Sequence, residues 1–326
     1  MTRPLQPLTG RILARLPGPR VLWVAAWALV PSLNAGANLL LGTETSAVWE
    51  QRRALVLLNY AALTVAVVIT LWGSDRIARR LETLRATTSR VLDEGVAGEP
   101  FRELNSVLGP LVASGAAAIG FAVSALLLDG WTSAMLRGAT WFVLGIAFWT
   151  FLWTYASLQL GLDRLGRERL LPDAVRVDPG LGLRPLGGVA FMGLWMLLAW
   201  LVPVLLTGLP DVLGVAIGVL LLTGGLATFF LSLLRLHRQM AAVKASELAI
   251  ARELYAQAYE PVRTERNLEA LERQQRLLGA ADALEKRAGA IHEWPIDEGI
   301  VARVLTIATS VIAITVARLI LDPLGL

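Results

Sequence analysis

Seven long apolar stretches constrain this chain more than any other feature of its sequence. The first six have no ionisable residue in their central parts, and the seventh has Arg303 and Arg318 near its ends, from where long side chains can reach the membrane surface. An α-helix needs about 20 apolar residues to cross the hydrocarbon core of a bilayer. The sequence therefore predicts an all-α, polytopic membrane protein with about seven transmembrane helices. The stretches run roughly over 20–42, 53–73, 107–128, 138–160, 188–208, 212–235 and 299–321.

Composition agrees with this prediction. The chain is 55% hydrophobic and only 17% charged, whereas a soluble domain has about 25% charged residues. The net charge of +4 comes from basic residues that are mixed with acids rather than clustered, which does not indicate nucleic-acid binding. The absence of cysteine excludes disulfides, thiolate catalysis and cysteine-based metal sites.

Basic residues are distributed unevenly between the connections. The N-terminal arm and the segments 74–106, 161–187 and 235–298 together hold 25 Lys and Arg residues, whereas the alternate connections hold three. Cytoplasmic loops collect Lys and Arg. We therefore expect a multi-pass protein of the cell (inner) membrane, with a cytoplasmic N-terminus and an extracytoplasmic C-terminus. The last stretch could instead lie along the membrane surface, because its arginines lower its hydrophobicity.

The chain divides into a bundle of spans one to six (1–235), a cytoplasmic segment (236–298) and a C-terminal transmembrane helix (299–326). The middle segment is rich in helix-forming residues, and its apolar positions repeat with heptad spacing on both sides of Pro261. This pattern predicts a coiled-coil-like hairpin of two helices, about 237–259 and 264–292, folded back at Pro261. The two seams are Leu248, Ala251, Tyr255, Ala258, Val262 and Leu277, Ala281, Leu284, Ala288, Ile291.

The seams are short and rich in alanine, so an isolated hairpin of this kind would be marginally stable. We therefore expect it to pack against other chains or loops. The expected partners are membrane lipid, further copies of this chain in a homo-oligomer, and a soluble protein at the hairpin.

The N-terminus has some features of a signal peptide. Arginines precede an apolar run, and the small residues Ala35, Gly36 and Ala37 follow it. The apolar stretch nevertheless continues through Leu41 and is long enough to span. We expect this segment to be retained as the first transmembrane helix.

Residues with catalytic chemistry are few. The only histidines are His237 and His292, and no catalytic sequence motif is present. The sequence therefore predicts neither an enzyme nor a cofactor or metal site. One alternative is that the two histidines, at the base of the hairpin beside acidic residues, bind a divalent metal or sense pH; the simpler interpretation is ordinary hydrogen bonding near the membrane surface.

The polar side chains within the spans are neutral, and unpaired amides in hydrocarbon are costly. Asn34 and Asn38 lie four residues apart and so share one helix face. Such residues either bond helices to one another or line a water-filled path. The candidates are Asn34, Asn38, Asn59, Thr64, Thr150, Thr154 and Gln159.

Small residues and prolines mark close helix contacts and bends. Gly224 and Gly225 either allow close packing or form a flexible hinge, and Pro295 separates the hairpin from the last span as a second hinge candidate. Pro31 and Pro203 are expected to kink spans one and five.

Three functions are compatible with these patterns. The first is a homo-oligomeric channel or pore with a neutral polar path and a hairpin that assembles or gates it. The second is a non-transporting scaffold or sensor that recruits a soluble partner. The third is a carrier for an apolar or lipid substrate, which would have a cavity open sideways to the bilayer near the deep tryptophans (Trp149, Trp153, Trp195 and Trp200). Abundant Ala, Leu and Arg with little Lys is typical of a prokaryotic protein.

Overall fold

The computed structural model describes residues 4–40, 46–91, 100–167, 183–207, 212–264 and 268–295, with a few positions between 299 and 313. These residues form nine α-helices and no strand, with a short 3₁₀ turn at Arg102–Asn105. The helices are α1 (Leu8–Arg15), α2 (Arg20–Ala28), α3 (Val30–Leu40), α4 (Ser46–Val91), α5 (Leu108–Asp129), α6 (Trp131–Leu165), α7 (Arg184–Thr207), α8 (Val212–Thr264) and α9 (Leu268–Gly289).

Five segments of these helices are long and apolar enough to cross a membrane, and they correspond to the predicted spans two to six. The segment predicted as the first span forms the two shorter helices α2 and α3, which are separated by a turn at Leu29 just before Pro31. The predicted seventh span lies largely outside the described residues. The five segments are Tyr60–Leu84, Leu108–Asp129, Trp131–Leu165, Arg184–Leu201 and Leu220–Tyr259.

The outward face of α5 is apolar, as expected for a helix in contact with lipid. Val112, Ile119 and Leu127 are 60%, 66% and 79% exposed. A contiguous apolar surface of this kind is rare on soluble monomers. It is consistent with association with a membrane.

Helices α5 and α6 pack closely and antiparallel through small residues. A Cβ at Gly138 would lie 3.0 Å from the Cβ of Ala122, and a Cβ at Gly145 would lie 3.3 Å from the Cα of Ser114. The helices can approach this closely only because these side chains are small. Gly130, with φ of 90°, forms the tight turn between the two helices.

Helix α4 is longer than its predicted span and packs against α6 and α7. Gly73 lies beside Met196 of α7 and Phe151 of α6. One and two turns further along α4, Ile77 and Leu81 are also buried. This part of α4, beyond the predicted span, therefore packs within the helical bundle.

Ionic contacts join the predicted cytoplasmic segments to one another at one end of the bundle. Arg20 at the start of α2 pairs with Asp75 of α4 at 3.2 Å. Arg164 near the end of α6 donates to Glu103 in the 3₁₀ turn at 2.8 Å, and this hydrogen bond lowers the pKa of Glu103 to about 2. These pairs place the basic segments of the chain on the same side of the described spans.

Helix α8 continues without interruption from the sixth predicted span into the segment predicted as the hairpin. It extends through Pro261 to Thr264, so the prediction that the helix ends before Pro261 is wrong. A proline removes only one helical hydrogen bond, and here it lies within the last turn. Tyr255 donates to Asp282 of α9 at 3.2 Å. Four seam alanines of α8 and α9 are buried: Ala251, Ala258, Ala281 and Ala288.

Candidate functional site

A groove of about 540 Å³ lies between α6 and α8, with Leu197 of α7 at its back. Its surface is mostly apolar and it opens outward from the described bundle. Grooves of this size are typical of sites for small molecules or lipid chains. The lining residues are Leu152, Tyr155, Ala156, Gln159, Leu160 and Asp163 from α6, Leu197 from α7, and Leu220, Leu221, Gly224, Gly225, Thr228, Leu231 and Ser232 from α8.

Two glycines with different surroundings shape the groove on α8. A Cβ at Gly225 would lie 2.5 Å from Cδ2 of Leu197, so glycine allows α8 to approach α7 there. Gly224 lines the groove and has no neighbouring atom within 4 Å of an added Cβ. Gly225 therefore serves close packing, and Gly224 leaves the groove open.

The end of α6 also approaches α8 through a glycine. A Cβ at Gly166 would lie 2.8 Å from the Cβ of Arg235 and 3.0 Å from the backbone nitrogen of Leu236. Since Tyr155 contacts Gly225 and Gly166 contacts Arg235, the two helices run parallel along the groove.

The floor of the groove has neutral polar groups that bond to one another and to the backbone. The Tyr155 hydroxyl donates to the carbonyl oxygen of Gly225 at 2.7 Å. The Ser232 hydroxyl donates to Oε1 of Gln159 at 2.6 Å. Gln159 is 5% exposed, its Nε2 is covered by protein atoms, and its side chain interacts with the Tyr155 hydroxyl. The amide is therefore part of the packing between α6 and α8 and is not accessible from the groove.

One end of the groove is charged. Asp163 pairs with Arg235 of α8 at 2.8 Å and with Arg167 at the same distance. Two guanidinium groups therefore share one carboxylate, which gives this cluster a net charge of +1. Each guanidinium has five N–H donors, so both can bind a further acceptor.

The described polar side chains that were predicted in spans one and two do not line the groove. Asn34 accepts a hydrogen bond from the Thr140 hydroxyl of α6 at 3.0 Å, so it bonds α3 to α6. Asn38 is buried and Thr64 is half-buried. The side chain of Asn59 lies outside the described residues.

The polar residues predicted in span four are divided between two environments. Thr150 and Thr154 are buried, and the Thr154 hydroxyl donates to the backbone oxygen of Thr150 at 2.7 Å. Thr150 Oγ1 has no partner within the described part of the chain. Of the seven polar candidates, Gln159 lines the groove, as do the hinge candidates Gly224 and Gly225.

The two histidines have different surroundings. His237 stacks on Trp294 with ring centroids 4.1 Å apart, and its Nδ1 lies 2.9 Å from the backbone oxygen of Glu293. His292 is exposed and Pro295 is buried. No group of three potential metal ligands among His, Asp and Glu occurs in the described ranges. The Pro295 hinge candidate therefore follows a segment that is held against α8.

The deep tryptophans do not line the groove as the described residues define it. Trp153, for example, covers Gly109 and donates to the backbone oxygen of Glu103 at 2.8 Å. The part of the lipid-carrier hypothesis that placed these tryptophan rings at the cavity is therefore not supported.

Of the α8 residues that complete the groove, only Gly224 and Gly225 were singled out from the sequence. Gly224, Thr228 and Ser232 recur every four residues and so share one helix face. Tyr155, Gln159 and Asp163 have the same spacing on α6. These two polar stripes were a detectable signal, but the sequence does not show that they face each other.

The described chain is thus an all-helical protein with five helices able to span a membrane and a polar-floored groove between two of them. Comparisons with protein-family models, with curated proteins and with solved structures found no match to this chain.

Proposed function

We propose that this chain is an integral membrane protein that binds a lipid or another apolar-chain ligand in the groove between α6 and α8. The observation that carries the proposal is the outward-opening, mostly apolar groove of about 540 Å³ between these two helices. In a bilayer the groove would face the acyl chains laterally. A ligand chain could therefore enter without crossing water.

The proposal includes seven spans and a defined orientation. Spans one and seven join the five candidate helices, and the charged end of the bundle lies on the cytoplasmic side of the inner membrane. The concentration of Lys and Arg in the segments at this end favours that orientation. Helices α8 and α9 then project from this side as a hairpin, which the buried alanine seam and the Tyr255–Asp282 hydrogen bond support.

The proposal corresponds to the third of the three functions compatible with the sequence. A channel receives less support, because Asn34 is engaged with Thr140 between α3 and α6, while Thr154 bonds to its own helix. Ion flux into liposomes that contain the purified protein would favour the channel instead. Recruitment of a soluble partner by the hairpin stays a prediction.

The experiment measures the lipid that stays bound after purification in mild detergent. Gly224→Leu places a side chain in the groove, where an added Cβ meets no atom within 4 Å. Gly120→Leu is the matched control, because an added Cβ is equally unobstructed at this exposed position of α5. Native mass spectrometry then counts the lipids retained by the wild type and by each variant.

We expect the wild type and Gly120→Leu to retain lipid equally, and Gly224→Leu to lose most of it. Unchanged thermal unfolding of Gly224→Leu would show that the loss comes from the filled groove. Equal retention by all three proteins would contradict the proposal.

A further inference from the structure

We infer that a second lipid site, separate from the groove, lies between α4 and α7 and binds the headgroup phosphate of an anionic phospholipid at Arg80. This inference rests on the proposed membrane spans and does not depend on the groove between α6 and α8. Three features of the site support it: the pocket itself, an arginine without a counter-ion, and the level of the pocket in the bundle.

The pocket has a volume of about 310 Å³ and lies between α4 and α7, at the end of the bundle where Arg20 pairs with Asp75. Its surface is both polar and apolar, in contrast to the nearly apolar groove. A water molecule takes about 30 Å³ in the liquid, so the pocket has room for a phosphate together with the glycerol attached to it. Arg80 and Thr83 form its polar part, and Leu84, Val189 and Met192 form its apolar part.

Arg80 gives the pocket a positive charge that no neighbour neutralises. It is the only charged residue of the pocket lining in the described part of the chain, and its side chain forms no ion pair or hydrogen bond there. The nearest acids of α4 are engaged elsewhere and do not line the pocket. Asp75 pairs with Arg79 at 2.6 Å, and Glu82 accepts the backbone N–H of Leu5 at 3.1 Å.

The donors available to a ligand come from this guanidinium. The Thr83 hydroxyl donates its proton to the backbone oxygen of Arg80 at 2.7 Å, which leaves Thr83 only as an acceptor. Arginine binds phosphate through paired, charge-assisted hydrogen bonds. Basic pockets between transmembrane helices are known sites for anionic headgroups. A zwitterionic headgroup would bring its own cation close to Arg80, so an anionic headgroup is favoured.

The pocket lies at the level of the lipid headgroups. The candidate span of α4 ends at Leu84 and that of α7 begins at Arg184, both beside the pocket. Trp72 is 51% exposed, and the guanidinium carbon of Arg76 lies 5.1 Å from the centroid of its ring. Exposed tryptophan and arginine are typical of the membrane surface. Arg80 follows one turn later, about 6 Å further along the axis.

The first experiment changes the ligand. Delipidated wild-type protein in mild detergent is offered phosphatidylglycerol and phosphatidylcholine with the same chains, and native mass spectrometry measures the ratio of the two bound lipids. We expect phosphatidylglycerol to be preferred about fivefold, the contribution of one arginine near an anionic headgroup. Glycerol 3-phosphate, which has the same phosphate and glycerol but no chains, is expected not to displace the lipid at the same concentration.

The second experiment removes the charge. Arg80→Gln should lose most of the preference for phosphatidylglycerol, because the only cation of the described pocket lining is gone. Arg79→Gln is the matched control and should keep the preference. Arg79 is the adjacent residue and is also exposed, but it pairs with Asp75 and does not line the pocket.

The third experiment fills the pocket and keeps its charge. Gly188 lines the pocket, and an added Cβ there meets no atom within 4 Å. Gly188→Leu should therefore also lose the preference, whereas the control Gly120→Leu should keep it. Unchanged thermal unfolding of Gly188→Leu and Arg80→Gln would show that both variants are folded.

The outcomes separate this inference from the proposed function. A wild type without preference, or a preference that persists in Arg80→Gln or in Gly188→Leu, would overturn the second site and leave the groove proposal standing. Displacement by glycerol 3-phosphate would show that the ligand is a soluble anion, and would also overturn the inference. Lipid retention unaffected by Gly224→Leu, with the preference lost in Arg80→Gln, would contradict the groove proposal and support the second site.

Discussion

Glycines determine how closely the helices on either side of the groove approach. Gly166 lies against the backbone of α8, whereas Gly224 has open space in front of it. The same substitution at these two positions should therefore have opposite effects.

Gly166→Ala is expected to destabilise the protein by about 1–3 kcal/mol, because the added methyl group overlaps the backbone at Arg235 and Leu236. Gly224→Ala is expected to be neutral or to stabilise it by about 0.5–1 kcal/mol, because alanine favours the helix and meets no atom. Thermal unfolding in detergent measures both. A similar loss of stability at both positions would contradict the described packing of α6 and α8.

The Glu103–Arg164 pair makes stability depend on pH in a defined direction. The pKa of Glu103 is lowered from its ordinary value of 4.5 to about 2, chiefly by the hydrogen bond from Arg164. The stabilisation is therefore fully present above pH 4.5 and is lost as the pH falls toward 2. Glu103→Gln should lower the unfolding temperature at pH 7, and this difference should shrink across that interval.

Glu272→Gln is the control for this series. Glu272 lies 3.9 Å from Arg276 on the surface of α9, and exposed pairs contribute little. We expect its unfolding temperature to follow the wild type at every pH. A constant deficit of Glu103→Gln down to pH 2 would mean that the loss comes from packing and not from the ionised carboxylate.

Individual side chains show where sequence reasoning reaches its limit. The role of Asn34 as a bond between helices was one of two interpretations, and its contact with Thr140 agrees with the first. The contact between Gln159 and Ser232 joins residues 73 positions apart. Which faces of α6 and α8 meet depends on packing across the bundle, which helical periodicity alone does not determine.

At the scale of elements, hydrophobicity predicted the positions of the five candidate membrane-spanning helices. It was less successful in predicting where the helices begin and end. Spans two to six coincide with long apolar helices, because the cost of exposing polar backbone in lipid fixes their length. Helices α4 and α8 extend far beyond their spans, since residues with high helix propensity follow the apolar stretch. For the same reason α8 continues through Pro261.

The contact between α8 and α9 depends on alanines that leave no room for larger side chains. Ala281→Leu should overpack this seam and cost about 1–3 kcal/mol. Ala283→Leu is the matched control, because Ala283 is two residues away on the same helix and is exposed. Hydrogen exchange of the α9 amides should increase in the first variant only. Equal exchange in both would mean that the alanine seam does not hold α9 against α8.

At the scale of the whole molecule, the account depends on the cost of placing charge in hydrocarbon. That cost explains why the five apolar segments are suited to cross a bilayer and why ion pairs lie at the two ends of the bundle. Arg20–Asp75, Arg164–Glu103 and Arg235–Asp163 lie at one end, and Arg137–Asp129 lies at the other. The same cost also explains why the groove has an apolar length and a single charged end. The groove proposed as a lipid site thus follows from the same arrangement that orients the helices.

The most direct test of this arrangement determines on which side of the membrane each end of the bundle lies. The chain has no cysteine, so each cysteine introduced by substitution reports on one position alone. Thr83→Cys and Ser246→Cys lie toward the charged end and Thr132→Cys toward the opposite end, and all three positions are exposed. In intact cells treated with a membrane-impermeant maleimide, we expect labelling of Thr132→Cys alone, with the other two labelled only after lysis. Labelling of all three positions from the same side of the membrane would contradict the account.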